Sequence, residues 1–405
     1  MSASKNSYAV LGDQDEASAK DYEYLGIDEN GEEWYRWETD PFNVVEFERS
    51  SGHDRIFTRK MLEKIKNAKE SLIRKAREGD DWEEVYVPEP GEMAHGKKFV
   101  VGQTFEKEIY HDQKISLSYL PRVQMHPDFH RLRTCSPSVK RLREMNPKET
   151  GWLPVPFELE WKESDLGSDH HDVEQMNLRR HELQEIKTLW EESAVRSQFR
   201  EAFRAAPALK SKATRIKRVA CFALGTLDFG GVRELQHLAM FDLATMLGEI
   251  NRSEDPKASQ VEVALQDPSY KTIDHILLKE LYQSVRFVED PDGILRIDKE
   301  TLVVGVYPPT SFPIMQVVAD MFEEGDGPAA FLIDNVKLRE PDDRNMYRSN
   351  DRLSPRASRM MQLYWKYGED FQVGALKDVF KQRFRYSERL WLEDVEVYVR
   401  REPGS

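Results

Sequence analysis

Cysteine is scarce: only Cys135 and Cys221 occur in 405 residues, which leaves no material for a disulfide framework or a cysteine zinc site. Cys221 lies inside an apolar run and is expected to be a buried small hydrophobe, a pattern that fits a reducing compartment. Long apolar runs are also missing. Nowhere do ~18 consecutive apolar residues occur, so no membrane-spanning helix and no membrane partner are expected. The opening MSASKNSYAVLGDQDEASAK has no apolar signal core, and the expected location is cytoplasmic and/or nuclear. Positive charge is outweighed, with 59 Lys and Arg against 73 Asp and Glu and a net charge of −14, which argues against a general affinity for nucleic-acid backbone. Finally, there is no Gly-x-Ser-x-Gly elbow, no phosphate-binding P-loop and no His-Glu-x-x-His zinc signature. No catalytic group, metal or cofactor is therefore named by motif.

What remains is ample for a core. Hydrophobic residues make up 39% and charged residues 33% of a chain long enough for two or three domains, or one domain with long elaborations. Four stretches are expected: a partly disordered arm over 1–50, an elaboration over 51–172, an α/β core over 173–335 and an extension over 336–405. In the arm, Asn30-Gly31 between Tyr22–Ile27 and Glu33–Trp37 predicts a hairpin. Thr58 caps a predicted helix over 59–78, whose Met61, Ile65, Ala68, Leu72 and Ala76 form one stripe. Short strands are expected at Val85–Val87, Phe99–Val101 and Ile115–Leu120. Residues 126–172, with several prolines and a basic cluster at Arg131, Arg133, Lys140, Arg141 and Arg143, read as a long loop. Within it Asp169-His170-His171-Asp172 reads as solvated loop, since adjacent side chains do not converge on one ion.

From Val173 the pattern is helical, with Leu183, Ile186 and Trp190 on one face and a second helix carrying Phe199, Ala202 and Phe203 that ends before Pro207. Lys210 to Arg218 holds five bases and no acid, the solvated approach to a buried strand in preference to a phosphate-binding patch. Strands then alternate with amphipathic helices: strand 216–224, helix 232–247 closed by Gly248, strand 261–265, helix 273–281, strand 285–288, strand 302–307, helix 313–322 and strand 330–333. This alternation predicts a mostly parallel, Rossmann-like sheet of five or more strands with helices on both faces. Beyond the fifth strand, 338–357 reads as a charged loop, Arg359–Tyr367 and Leu376–Phe384 as helices, and Leu390–Val399 as a last strand pairing with the sheet edge.

In such sheets ligands sit beyond the carboxyl ends of the strands, where the order reverses. That points to Gly225, Thr226 and Asp228 after the first strand, Asp267 and Tyr270 after the second, and Tyr307 and Pro308 after the fourth. A dinucleotide fingerprint is incomplete, because Leu227 occupies the middle glycine position of Gly225-Thr226-Leu227-Asp228-Phe229-Gly230 and would hold a pyrophosphate away. Asp267 has two readings: an acid for ribose hydroxyls, as in methyltransferase-type sheets, or a turn and helix cap, which is favoured. His237 and His275 read as packing residues.

The blocks CFALGTLD at 221–228, LQDPSY at 265–270 and VGVYPPTSFP at 304–313 resemble those of the "sensitivity to red light reduced" family, the SRR-like domain. The resemblance spans about 180–335, and Thr58-Arg59-Lys60-Met61-Leu62 is similar to fungal-type members. The chain departs from the family pattern in three places: Ala223 stands for the first glycine of a Gly-x-Gly pair, Tyr270 takes the aromatic place after Asp267-Pro268, and Pro309-Thr310 stand for a His-Cys pair. The resemblance implies a regulatory role over a reaction. Members are associated with circadian timing and light responses in plants, cytoskeletal phenotypes in yeast and haem biosynthesis in animals. The expected function is a non-catalytic regulatory protein with protein partners and a small-ligand crevice. An S-adenosylmethionine- or nucleotide-dependent enzyme is the alternative, and a nucleic-acid binder using Lys210–Arg218 is the weakest reading.

Overall fold

A computed structural model describes residues 55–78, 173–206, 209, 215–227, 230–308, 312–334, 353–368, 371–384 and 390–401, and strand segments elsewhere. In chain order the strands are β1 (Tyr22–Ile27), β2 (Glu33–Trp37), β3 (Phe42–Asn43), β4 (Glu83–Val87), β5 (Lys97–Val101), β6 (Gln113–Tyr119), β7 (Phe157–Glu163) and β8 (Arg218–Phe222). They continue as β9 (Glu262–Gln266), β10 (Val285–Phe287), β11 (Thr301–Gly305), β12 (Ala330–Asp334), β13 (Met346–Tyr347), β14 (Tyr364–Gly368) and β15 (Val395–Arg400). The helices are α1 (Arg59–Glu78), α2 (Val173–Glu192), α3 (Ala194–Arg204), α4 (Val232–Glu254), α5 (Thr272–Leu281), α6 (Asp292–Leu295), α7 (Ile314–Met321), α8 (Pro355–Met361) and α9 (Gly374–Arg383).

Seven strands form one open sheet in the order β10-β9-β8-β11-β12-β15-β14. The first five are parallel. β15 runs against both β12 and β14, so a single reversed strand sits within an otherwise parallel sheet. Strands covered on both faces must be apolar throughout, and every residue of β11 (TLVVG) and β12 (AFLID) is buried. Side chains alternate between the faces. Val219, Cys221, Leu302 and Val304 join the core under α2, α3, α4, α5 and α9. Ala220, Phe222, Val303 and Phe331 join the core under α1, α7 and α8. Among the described residues no helix is long and apolar enough to cross a membrane.

The connection from β10 to β11 carries only the four-residue α6, too short to cover its face. α1 fills that place. Its stripe of Met61, Leu62 and Ile65, with Ile56 and Phe57 before it, packs against Ala220, Phe222, Ile294, Ile297 and Val303. The approach to α1 is tied to α7: the backbone N–H groups of Ile56 and Phe57 donate to one carboxylate oxygen of buried Asp320 (2.8 and 3.0 Å). The start of α1 is set by Thr58, whose hydroxyl accepts from Met61 N–H (3.2 Å).

The predicted β1–β2 hairpin and the helix over 59–78 are present. Four expectations are corrected. Gly248 does not close its helix, because Met246, Leu247 and Asn251 are all buried and α4 runs on to Glu254. The 126–172 stretch contains β7, which pairs antiparallel with β6 and places Leu159 opposite Leu117 and Trp161 opposite Ile115. The helix expected over Arg359–Tyr367 ends at Met361 in α8, and Tyr364–Gly368 is β14. The last strand, expected to pair with the sheet edge, does pair with β12 as β15, but β14 adds beyond it, so β15 is internal. The basic cluster at 131–143, Asp169–Asp172 and Lys210–Thr214 fall outside the described residues.

Because α1 supplies a missing layer, Leu62→Ala, at a wholly buried position, is expected to cost about 2–5 kcal/mol of global stability in urea denaturation. A cost below about 1 kcal/mol would show that α1 is peripheral.

Candidate functional site

The sheet order changes direction between β8 and β11: the chain winds outward through β9 and β10 on one side and through β12 on the other. This is the position at which a doubly wound sheet opens a crevice at its carboxyl edge. Phe222 and Gly305, the last residues of β8 and β11, are register partners, so the turns that follow stand side by side.

Both turns contain a non-glycine residue in the left-handed region, Ala223 (φ 56°) and Tyr307 (φ 50°). Such conformations cost of order 1–2 kcal/mol and persist only where neighbours impose them. For Ala223 the cause is backbone pairing: its N–H donates to the Gln266 carbonyl (3.0 Å) as the strand ends. For Tyr307 it is two carboxylates. Its N–H donates to Asp334 (3.3 Å), and its hydroxyl donates to Asp394. The ring is held in the open, 45% exposed. Pro308 beside it is buried.

Gly225 has φ +78°, a conformation that favours glycine, and a Cβ there would fall 2.7 Å from Arg233 Cδ, so the arginine side chain would have to move. Its N–H donates to Asp267 Oδ2 (2.7 Å), while Oδ1 of Asp267 accepts from Ser269 N–H (2.8 Å). Two residues along, Leu227 N–H donates to buried Asp274 Oδ1 (3.0 Å), whose Oδ2 accepts from Lys271 N–H at the start of α5 (2.7 Å). Two backbone N–H groups of the turn after β8, of the kind that grips a pyrophosphate in a dinucleotide site, are thus already held by carboxylates of the chain itself. The expectation that Leu227 blocks this grip with its side chain is corrected. That side chain is buried in the core under α4, and the obstacle is the commitment of the N–H groups.

His237 is wholly buried on α4. Its Nδ1 lies 2.6 Å from the Arg233 carbonyl, which only accepts, so Nδ1 carries the proton. Nε2 must then accept, and the Tyr270 hydroxyl donates to it (2.7 Å). Burial pushes the histidine down to about 4 and the tyrosine well above its ordinary value, so the pair stays neutral through the physiological range. His275 stacks on Phe287 with ring centroids 3.8 Å apart, and burial lowers its pKa. Burial likewise pushes the Cys221 thiol far up, leaving it a packing residue.

Of the residues singled out from sequence, Gly225 and Asp267 are in direct contact, and Tyr307 and Pro308 share their edge of the sheet. Thr226 is half-buried in the same turn. Tyr270 is turned inward on His237. Asp228 lies outside the described residues. Sequence reasoning missed Asp274 and Asp394, and took Asp334 only as part of a turn, Asp334-Asn335, that resembles the family's closing turn after the fifth strand. Asp274 could have been found as an acid in the first turn of a predicted helix; Asp394 carries no local signal. The described bases of the 210–218 stretch are paired: Arg215 with Asp255 (3.2 Å), Lys217 with Glu300 (2.7 Å) and Arg218 with Glu262 (2.9 Å). Among the described residues no three His, Cys, Asp or Glu side chains are placed to hold a metal ion.

Ala223→Gly should relieve the left-handed strain and raise stability by about 0.5–1 kcal/mol in urea denaturation. A loss of stability would show that this backbone is not strained.

No curated protein and no solved structure matches the chain. The family model for the SRR1 domain matches residues 182–374, which run from within α2 through β14 and hold six of the seven strands of the sheet. The segment that carries β8, β9 and β11 thus matches the SRR1 domain, and this match supports an SRR-like family.

Proposed function

We propose that this chain is a non-catalytic regulatory protein that uses its Rossmann-like carboxyl-edge crevice to bind a small ligand and its surface to engage protein partners. One observation carries this reading. The polar groups at the crevice are committed to one another, Gly225 with Asp267, Leu227 with Asp274 and His237 with Tyr270, so they hold loops in place. A general base needs a tunable pKa within reach of substrate. The buried histidine and thiol do not offer one. The SRR1 domain supports a role in regulation, and circadian, light-response or haem-related pathways are those the family's associations suggest. The paired bases before β8 do not favour a nucleic-acid role.

A second reading, an S-adenosylmethionine- or nucleotide-dependent enzyme, is favoured by the sheet. A switch point between β8 and β11, with an acid one residue past β9, is the frame in which adenosyl ligands are held. Within that reading the committed N–H groups favour a ligand without phosphate, and Asp267 retains lone pairs for a diol.

Thermal unfolding of the full chain with S-adenosylmethionine, ATP, NAD or haem separates the readings. A ligand at ~100 times its dissociation constant adds about 2.7 kcal/mol. The proposal expects stabilisation by one of them, loss of that effect in Asp267→Asn, and recovery of the ligand unchanged after incubation. Demethylation of S-adenosylmethionine or hydrolysis of ATP would establish the enzyme. No stabilisation by any of the four would overturn the ligand crevice.

A further inference from the structure

A groove of about 520 Å³ runs between α1 and α6, away from the carboxyl-edge crevice. On its α1 wall Arg59, Glu63 and Lys66 follow one another at steps of four and three, on one helix face, with Asn67 beside Lys66. The other wall is Asp292, Leu295 and, just past α6, Arg296. Arg218, the first residue of β8, donates to the Arg296 carbonyl, so this end of the groove lies at the amino edge of the sheet. Among the described residues only Leu295 gives the lining an apolar side chain.

The arginines at the amino-edge end are not neutralised one for one. Arg59 is half-buried, and its guanidinium donates to the backbone carbonyls of Leu295 (2.8 Å) and Ile297, which flank Arg296. Those carbonyls fix the group in place without cancelling its charge. Asp298 and Glu63 act on that charge from a distance, and among the described residues no carboxylate forms an ion pair with it. Arg296 is exposed and donates to Glu262 Oε1 (3.1 Å). The same oxygen accepts from Arg218 (2.9 Å), and Arg286 lies 4.0 Å from Oε2. One carboxylate thus serves three guanidinium groups, and Asp298 relieves only Arg218 (3.3 Å). At the other end of the groove Lys66 and Asp292 form a pair (2.7 Å) and cancel.

We propose that this groove is an effector site for a phosphorylated sugar or polyol, with the phosphate between Arg59 and Arg296 and the hydroxyls on Glu63, Asn67 and Asp292. Guanidinium forks match phosphate oxygens, and Arg59 is already held in position, so binding costs it little freedom. The carboxylates of Glu63 and Asp292 would repel a polyanion, which sets nucleic-acid backbone aside. The same carboxylates, with the Asn67 amide, are the acceptors that ligand hydroxyls need. From Arg59 to Asn67 the α1 wall extends about 12 Å at ~1.5 Å per residue, room for a phosphate and one sugar. A ligand seated there touches α1, outside the SRR1 domain match, and α6, within it. It would therefore fasten the N-terminal layer to the sheet, a regulatory effect that needs no reaction.

Isothermal titration calorimetry of the full chain with glucose 6-phosphate, ribose 5-phosphate, glycerol 3-phosphate and inositol 1-phosphate tests the site, with glucose and inorganic phosphate alongside. At least one of the four should bind with a Kd below about 1 mM and about tenfold or more tighter than inorganic phosphate, while glucose gives no binding. Arg296→Gln should weaken that ligand about tenfold or more, with thermal unfolding showing that the fold is kept. Should that variant not fold, Arg59→Lys serves instead: it keeps the charge, loses the fork, and should weaken the same ligand. Glu63→Ala, at an exposed position, should narrow the gap between the sugar or polyol phosphate and inorganic phosphate, because it removes a hydroxyl acceptor and a negative charge together. No binding by any of the four, or inorganic phosphate binding as tightly as all of them, would overturn the proposal. So would unchanged affinity in the arginine variant, or an unchanged gap in Glu63→Ala.

Discussion

Backbone N–H groups at a tight turn must find acceptors, and the turn after β8 takes two of them from aspartates of the next crossover. Asp267 reaches Gly225, and Asp274 reaches Leu227 while also starting α5. The rest of the carboxyl edge follows from this. With Gly225 fixed in the left-handed region beneath Arg233, α4 begins at Val232 and carries His237 inward to Tyr270. That bond holds the β9 loop on which Asp267 sits. The same device recurs at the next strand, where Asp334 and Asp394 hold Tyr307. The edge is thus a set of loops clasped by carboxylates.

The sheet imposes a second demand. Strands buried on both faces need a layer on each, and the short β10–β11 connection does not provide one. The chain meets the demand from its N-terminal side with α1, which makes that helix a structural part of the fold although it lies outside the SRR1 domain match. β15, also outside the match, completes the sheet by inserting between β12 and β14. Both additions bring polar groups to the edge, Lys69 on α1 and Asp394 just before β15.

Much of the core was legible because its signals are local. Apolar runs bounded by turns mark β8, β9, β11 and β12, and the helical stripes mark α1, α4 and α5. Gly225 and Asp267 were legible because they sit where apolar strands stop. What escaped depends on distant partners. β7 is recognisable only through its pairing with β6, and β14 only through β15, since YWKYG alone carries no clear alternation. Gly248 signals a helix end that burial of the following turn overrides. Leu227 looked like an obstacle because its side chain is large. Its actual role is set by Asp274, 47 residues along the chain. Asp290 and Tyr119, 171 residues apart, are joined only by the docking of β6.

The central claim is that the N–H groups of the β8–α4 turn are committed within the chain. It is tested most directly by following the Gly225 and Leu227 amide resonances during titration with ATP and with NAD. The account predicts slowly exchanging amides whose shifts stay fixed through the titration. Saturable movement of either resonance would contradict it.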